Sequence, residues 1–578
     1  MDQTRLFLAI ALSVAILLAF QWVMPRPHPV PPTEPTKVAG STQTPAPAAG
    51  PAPPAASTAT APTAPPREVP RVKISSARLL GSISLVGARL DDLVLRDYRE
   101  TIDPNSPLVR LLEPRGEKEP YFVQFGWTAP EGSQIKVPDE ESLWTASGEL
   151  TDGKPLTLSW DNGAGLSFQL IFSVDENYMF SVAQRVQNDT GAPVALYPWS
   201  RIRREYTPQV LGYYILHEGM LGILDGTLKE VKYSSAKSEG EKNNGLAESY
   251  TSQGGWAGIT DKYWLTALIP DQAKQQTASF RYLNIPGGGY QVDFLDQNPQ
   301  AIAAGAASAE TTRLFAGAKL VHLLSHYEEA DGIPRFSYAV DWGWFWFFTK
   351  PIFFALDWLN TLFGNFGVAI LVFTIFVKAL FFPLANKSYR SMSKMKLLAP
   401  KMQALREQYK DDQSKLQQQM MALYKSEKVN PASGCLPMVI QIPVFFSLYK
   451  VIFTTIEMRQ APFFGWIHDL SVPDPTNIFN LFGLIPFDPT LISPMLHLGA
   501  WPLIMGFTMF FQQKLNPPPP DPVQAKLFQF MPLIFTFMLA RFPAGLVLYW
   551  SWNNLLTIGQ QWLIMRQTRL AKPSLART

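Results

Sequence analysis

Five apolar segments, at about 366–384, 435–457, 491–511, 527–541 and 545–565, constrain the fold of this chain more than any other feature. Hydrocarbon offers a backbone no water, so each N–H and C=O must be paired internally. Runs of this kind meet that demand as helices. A further apolar run, Leu6 to Val23, is broken only by Ser13 and Gln21. At 1.5 Å per residue it spans about 27 Å, close to the hydrocarbon thickness of a bilayer. A cleaved signal peptide is the competing reading. It needs small residues after the apolar run, and Gln21-Trp22-Val23-Met24-Pro25 lacks them. An uncleaved anchor over 1–24 is therefore expected, which makes six crossings.

Between the anchor and the other five segments the texture changes three times. Residues 25–70 hold 15 prolines and cannot bury a core. They read as an extended linker reaching on the order of 140 Å at most. Residues 71–335 alternate apolar and polar side chains, as in Leu166-Ser-Phe168-Gln-Leu170-Ile-Phe172-Ser-Val174, with turn signals such as Asp161-Asn-Gly163 between the runs. Period-2 patterning predicts strands buried on one face, in an all-β sandwich. Trp342-Gly-Trp-Phe-Trp-Phe-Phe348 then forms an aromatic belt of the kind found at membrane surfaces. It opens an amphipathic helix over 340–364, read as lying in the interface, with a short span as the alternative.

Charge sets the orientation. The loop 386–433 carries ten Lys/Arg and four acids, the loop 458–490 carries one Lys/Arg, and the tail 567–578 is basic. The positive-inside rule puts the first and last of these in the cytoplasm. Six crossings then place both termini inside and the β-rich region outside. The fold class expected is an α-helical polytopic membrane protein plus an all-β sandwich domain. It has six transmembrane helices, a cytoplasmic helical hairpin and an interfacial helix, with a five-helix core over 365–566. Charged residues make up 17% of the chain, against about 25% in soluble proteins. A net charge of +3 and a single cysteine, Cys435, argue against DNA binding, an internal disulfide and a cysteine zinc cluster.

Lys378 is the sharpest candidate for function, because it sits inside the second crossing. A lysine at a bilayer centre costs roughly 2.5–3.5 kcal/mol on insertion scales. Two readings stand: the side chain snorkels to the cytoplasmic headgroups, or it faces a watery cavity. Lys450, late in an outward-running helix, reads as snorkelling outward. No Asp or Glu lies inside a core segment, and Glu457 sits at an outer edge, which argues against an ion-coupled transporter. Phosphate-loop, nucleophile-elbow and zincin patterns are missing, and His322 with His326 reads as a structural pair. Thr374, Gln441, Asn553, Asn554, Thr557, Gln560 and Gln561 are among the polar residues that enter the membrane. They either bond between helices or line a hydrated groove.

The basic loop has a seam at Met395, Leu398, Met402, Leu405 and Tyr409, resumed at Leu416, Met420 and Leu423. This spacing predicts two antiparallel helices. Lys394, Lys396, Lys401, Arg406 and Lys410 would then form a docking face for a protein or ribonucleoprotein, or else rest on acidic lipid.

Several motifs in one order resemble YidC-type membrane protein insertases. They are Lys425-Ser-Glu-Lys-Val-Asn-Pro431 closing with Gly434-Cys435, then Pro437 and Gln441-Ile-Pro443. Glu457-Met-Arg-Gln-Ala-Pro462, Trp466-Ile-His-Asp-Leu470, Phe530-Met-Pro532 and Phe542-Pro-Ala-Gly-Leu-Val-Leu-Tyr549-Trp follow. The likeness is strong over about 340–566, and the anchor, linker and β-domain resemble the Gram-negative form of the family. It implies an inner-membrane insertase and chaperone, not an enzyme, with the β-domain periplasmic. It implies a positively charged groove open to cytoplasm and lipid. The family commonly has Arg where this chain has Lys378, so the charge is kept and the planar fork is lost. Thr374, Tyr549 and Trp550 would face the substrate path, with Gln441 and Asn553 beside them. The partners implied are nascent inner-membrane proteins, the Sec translocon, ribosome and signal recognition particle components, and membrane lipids. No cofactor or metal is implied. A secondary transporter or channel, or an envelope sugar-binding or sugar-processing module, is the alternative.

Overall fold

The computed structural model describes residues 69–210, 216–410, 412–427, 436–493, 496–516 and 522–570. The expected anchor over 1–24, nearly all of the 25–70 linker and the tail beyond Leu570 lie outside the described residues.

The period-2 segments fold into two antiparallel-rich sheets of 11 and nine strands. In Leu166–Val174 the alternation fixes the register, because Leu166, Phe168, Leu170, Phe172 and Val174 are buried while the residues between them are not. The next strand, Met179–Asn188, pairs with it antiparallel, and the Asp175 carboxylate accepts from the Asn177 and Met179 N–H groups in the turn. The sheets meet through aromatic edges. Phe172 packs on Phe125 at 6.0 Å between ring centroids, and Phe168 packs on Trp127 at 5.1 Å. Truncating one of these rings to alanine would cost about 3–5 kcal/mol. The domain departs from the all-β expectation by two helices, α1 (Tyr233–Lys242) and α2 (Val321–Ala330). Each buries a sparse stripe, Tyr233, Ala236 and Gly240 in α1 and Val321, Leu324 and Tyr327 in α2. Stripes with so few apolar residues are easily taken for loops between strands.

Helix α3 (Trp346–Phe363) begins within the aromatic belt, later than the expected 340, and buries Ile352, Phe353, Leu356 and Leu359 while Phe354, Trp358 and Leu362 stay exposed. Gly364, with φ at 66°, ends it, in the left-handed conformation glycine adopts most cheaply. The Asn365 side chain then accepts from the Val368 N–H and starts α4 (Phe366–Leu380). Gly367 lets α4 approach the 463 loop closely, since a Cβ there would lie 2.1 Å from the Phe463 ring.

The remaining helices are α5 (Phe382–Gln408), α6 (Gln413–Ser426), α7 (Leu436–Thr454), α8 (Ala500–Leu515), α9 (Pro522–Leu539) and α10 (Ala544–Leu570). Helix α10 packs against α4, α5, α7 and α8, and α9 lies on α8. Several ends differ from the sequence expectation. The apolar stretch expected to run to 384 breaks at Phe381, where α4 and α5 meet at a bend of 69°. Pro383 occupies the first turn of α5, where a missing N–H costs little. The stretch expected from 491 becomes helical only at Ala500. Among the described residues no single helix is long and apolar enough to cross a membrane, and only the bent α4–α5 pair passes such a test together.

The basic loop folds as two packed helices, α5 and α6. Leu398 is buried, and Met402, Leu405, Leu416, Met420 and Leu423 are half-buried along the seam. The Tyr424 hydroxyl lies 3.8 Å from Met402 Sδ, and Lys401 pairs with Glu427 at 2.8 Å.

Candidate functional site

Helical spacing puts the polar residues of three helices into one recess. On α4, Thr374 and Lys378 are one turn apart. On α10, Tyr549, Asn553 and Thr557 form a single row at i, i+4 and i+8. Gln441 faces them from α7. Thr374, Lys378, Gln441, Tyr549 and Asn553, with Val377, Phe381, Leu384, Ala385, Tyr389, Val444 and Gln560, line a recess of about 530 Å³, counting its open mouth.

Lys378 Nζ donates to Thr557 Oγ1 at 2.7 Å, and the Thr557 hydroxyl donates to the Asn553 carbonyl at 2.7 Å. Gln441 Nε2 donates to the Tyr549 hydroxyl at 3.3 Å and to the Asn553 amide oxygen. The Thr374 hydroxyl is tied to the Ile370 carbonyl at 2.6 Å. The recess therefore presents a cation, amides and hydroxyls between apolar walls. Among the described residues no carboxylate pairs with Lys378, and no group of acidic, histidine or cysteine side chains could hold a metal ion.

Of the residues expected at the groove, Lys378, Thr374, Gln441, Tyr549 and Asn553 come together here. Trp550 stands apart. It is one residue past Tyr549, about 100° around the helix, and packs edge-on to Phe445 at 4.8 Å and against Phe535 at 5.9 Å. Thr557 carries the lysine contact although sequence reasoning gave it no role of its own. Its place four residues after Asn553 was the available signal. Tyr389, inside the stretch 386–433 read as the basic loop, is buried with Ala385 and Ile564 at the base of α5. Lys394, Lys396, Lys401 and Lys410 are exposed on the α5–α6 hairpin, and Arg406 is half-buried. They do not join the recess.

At the opposite end of α7, Lys450 does not reach out to headgroups. Its ammonium lies 2.6 Å from Asp341 Oδ2, and Asp341 also accepts from the backbone N–H groups of His217 at 2.9 Å and Gly343 at 3.0 Å. Glu457 accepts from the Val321 N–H at 2.8 Å, at the start of α2, which otherwise lacks a side-chain cap. The sandwich is thus fastened to the C-terminal end of α7. His322 Nε2 lies 2.8 Å from Asp357 Oδ2, which makes it a surface contact between α2 and α3.

Two family models match this chain. One, described as the YidC periplasmic domain, covers residues 71–355, and the other, the 60Kd inner membrane protein, covers 358–572. A membrane protein insertase YidC of Granulibacter bethesdensis is 63% identical over 100% of both chains. Its counterpart in Acidiphilium cryptum is 58% identical over 87% of this chain and 85% of its own. A crystal structure of an active YidC insertase with its first transmembrane domain resolved overlaps 85% of this chain and 92% of its own, at 18% identity and a TM-score of 0.35.

Proposed function

The chain belongs to the YidC family of membrane protein insertases, and from that premise we propose that the recess around Lys378 is where a substrate's polar tail is received. The observation that carries this reading is an ammonium held by a neutral hydroxyl, with no carboxylate among the described residues to neutralise it. Such a cation lowers the energy of an incoming Asp or Glu, and does so more strongly where water is scarce. The recess also shortens the hydrocarbon path a polar tail must cross. Once the tail has passed, burial of the substrate's apolar segment in lipid drives its release sideways, without nucleotide.

In this reading α4 with the base of α5, α7, α8, α9 and α10 cross the inner membrane. An N-terminal anchor makes six spans with both termini cytoplasmic. Helix α3 lies in the outer interface, where its exposed Trp346, Phe347 and Trp358 suit the headgroup layer. The α5–α6 hairpin extends into the cytoplasm and offers Lys394, Lys396, Lys401 and Lys410 to ribosome and signal recognition particle components. The Sec translocon is the partner for larger substrates.

A photo-crosslinking residue placed at Thr374, Gln441 or Asn553 during synthesis of a small membrane protein tests the recess. Adducts with the nascent chain are expected at all three and sparse at Trp550. Adducts restricted to lipid would overturn the reading.

A further inference from the structure

The segment Ile478–Ile492, between α7 and α8, breaks two rules that hold for a loop in water. Its large apolar side chains point outward. Leu484 and Leu491 are 82% and 81% exposed, and Phe479, Leu481, Phe482 and Ile492 are exposed as well. The segment carries a single charge, Asp488. Leu481 and Phe482 also hold φ at 52° and 58°, a left-handed conformation that costs roughly 1–2 kcal/mol for each non-glycine residue. That strain turns both side chains outward rather than into a core.

The backbone points the same way. Much of its backbone is paired within the loop itself, which lipid requires. The Phe482 N–H donates to the Asn477 carbonyl at 2.8 Å, and the Ile485 N–H donates to the Asn480 carbonyl at 3.1 Å. Side-chain oxygens take further donors: Asn477 accepts from the Phe479 N–H at 3.1 Å, and Asn480 accepts from the Gly483 N–H at 3.0 Å. Asn480 Nδ2 in turn covers the Phe487 carbonyl at 3.2 Å. Irregular backbone with polar groups paired internally and apolar side chains outside is an arrangement that lipid accepts.

The stem fixes where this surface sits. Asp474 and Thr476 accept from the Trp501 and Ala500 N–H groups at 2.8 and 2.9 Å, so the loop is bound to the first turn of α8. That helix also exposes the apolar side chains of Ile504 and Phe507. The other end leads back to Arg459, which bonds the Arg99 and Glu100 carbonyls of the sandwich.

We propose that the 478–492 loop is a lipid-binding wedge, with the side chains of Leu481, Phe482, Leu484, Leu491 and Ile492 seated among the acyl chains of the outer leaflet beside α8. The proposal rests on the reading above in which the bundle is embedded with this loop outward. A wedge there displaces headgroups and thins the outer leaflet next to the helices that receive the substrate.

Nitroxide labels test it in the full chain, reconstituted in phosphatidylethanolamine–phosphatidylglycerol vesicles. Leu484→Cys, Leu491→Cys, Asp488→Cys and Phe507→Cys are each made with Cys435→Ser, which removes the chain's one native thiol. Oxygen partitions into acyl chains, and a charged nickel chelate stays in water. Labels at 484, 491 and 507 are expected to relax more with oxygen, and the label at 488 more with nickel. Nickel access at 484 and 491 with 507 still in lipid overturns the wedge alone. Nickel access at all three overturns the embedded bundle as well. Labels at 484 and 491 shielded from both reagents would mean a protein partner covers the loop, which also overturns the proposal.

Discussion

Two lysines enter the helical bundle of this insertase, and they are held in opposite ways. Lys450, at the C-terminal end of α7, meets a carboxylate at 2.6 Å. Lys378, on α4, meets a hydroxyl at 2.7 Å. A buried cation with a fixed counter-charge is satisfied and serves architecture. One given only neutral donors and acceptors keeps most of its field for whatever enters. The difference teaches that counting charges in apolar helices is less informative than asking what each charge faces.

Reversing the unpaired charge has the largest expected effect. At about 5 Å and an effective dielectric of about 20, the attraction between an ammonium and a carboxylate is about 3 kcal/mol. Lys378→Glu turns this into repulsion, so insertion of small proteins with acidic translocated tails is expected to fall at least a hundredfold. Lys378→Arg keeps the charge and is expected to retain most activity. Protease protection of a labelled substrate in cells depleted of the native chain measures both. Normal insertion by the Glu variant would end the contrast between the two lysines.

Breaking the paired lysine is expected to harm stability instead. Asp341→Ala leaves the Lys450 ammonium without its carboxylate and the His217 N–H without its acceptor. Losing one partner of a buried pair costs about 3–5 kcal/mol. Lys450→Met added to Asp341→Ala should recover part of that loss, and thermal unfolding of the four combinations gives the coupling directly. If Lys450→Met abolished insertion while unfolding stayed normal, both lysines would be functional and the distinction would fail.

His217 adds a pH dependence to the same junction. Burial pushes its imidazole down to about 4, from an ordinary 6.5. Between these values the unfolded chain binds a proton that the folded chain does not. Stability is therefore present above pH 6.5 and is lost as pH falls through about 4, by about 3 kcal/mol in all. The unfolding midpoint of the protein should drop over this window, and His217→Gln should flatten the curve. An unchanged slope in that variant would place the titrating group elsewhere.

Much of this was legible in the sequence because the signals were local. Leu166 to Val174 showed both strand and buried face, and the seam from Leu398 to Leu423 showed the hairpin. Five of the six groove candidates share the recess because Thr374 with Lys378, and Tyr549 with Asn553, are i, i+4 pairs. What escaped notice depended on partners distant in sequence. Lys450 looked like a snorkelling lysine because Asp341 is more than a hundred residues away, and Thr557 looked like an ordinary interhelical hydroxyl. The start of α8 was misplaced because residues 491–499 are as apolar as the helix they precede. Hydropathy reports the solvent a residue prefers, not the backbone it adopts.

A third lysine, in water, sets the lower end of the scale. Lys401 pairs with Glu427 at 2.8 Å, yet the two side chains are 63% and 38% exposed. Solvent screens such a pair, and holding two long side chains together costs entropy, so it is worth about 0–1 kcal/mol. Lys401→Ala is expected to shift the unfolding midpoint barely at all, and any shift should shrink further in high salt. The contact geometry matches that of Lys450 with Asp341 almost ångström for ångström. A large destabilisation by Lys401→Ala would show that proximity rather than desolvation sets the value of an ion pair here, and the contrast between Lys450 and Lys378 would lose its physical basis.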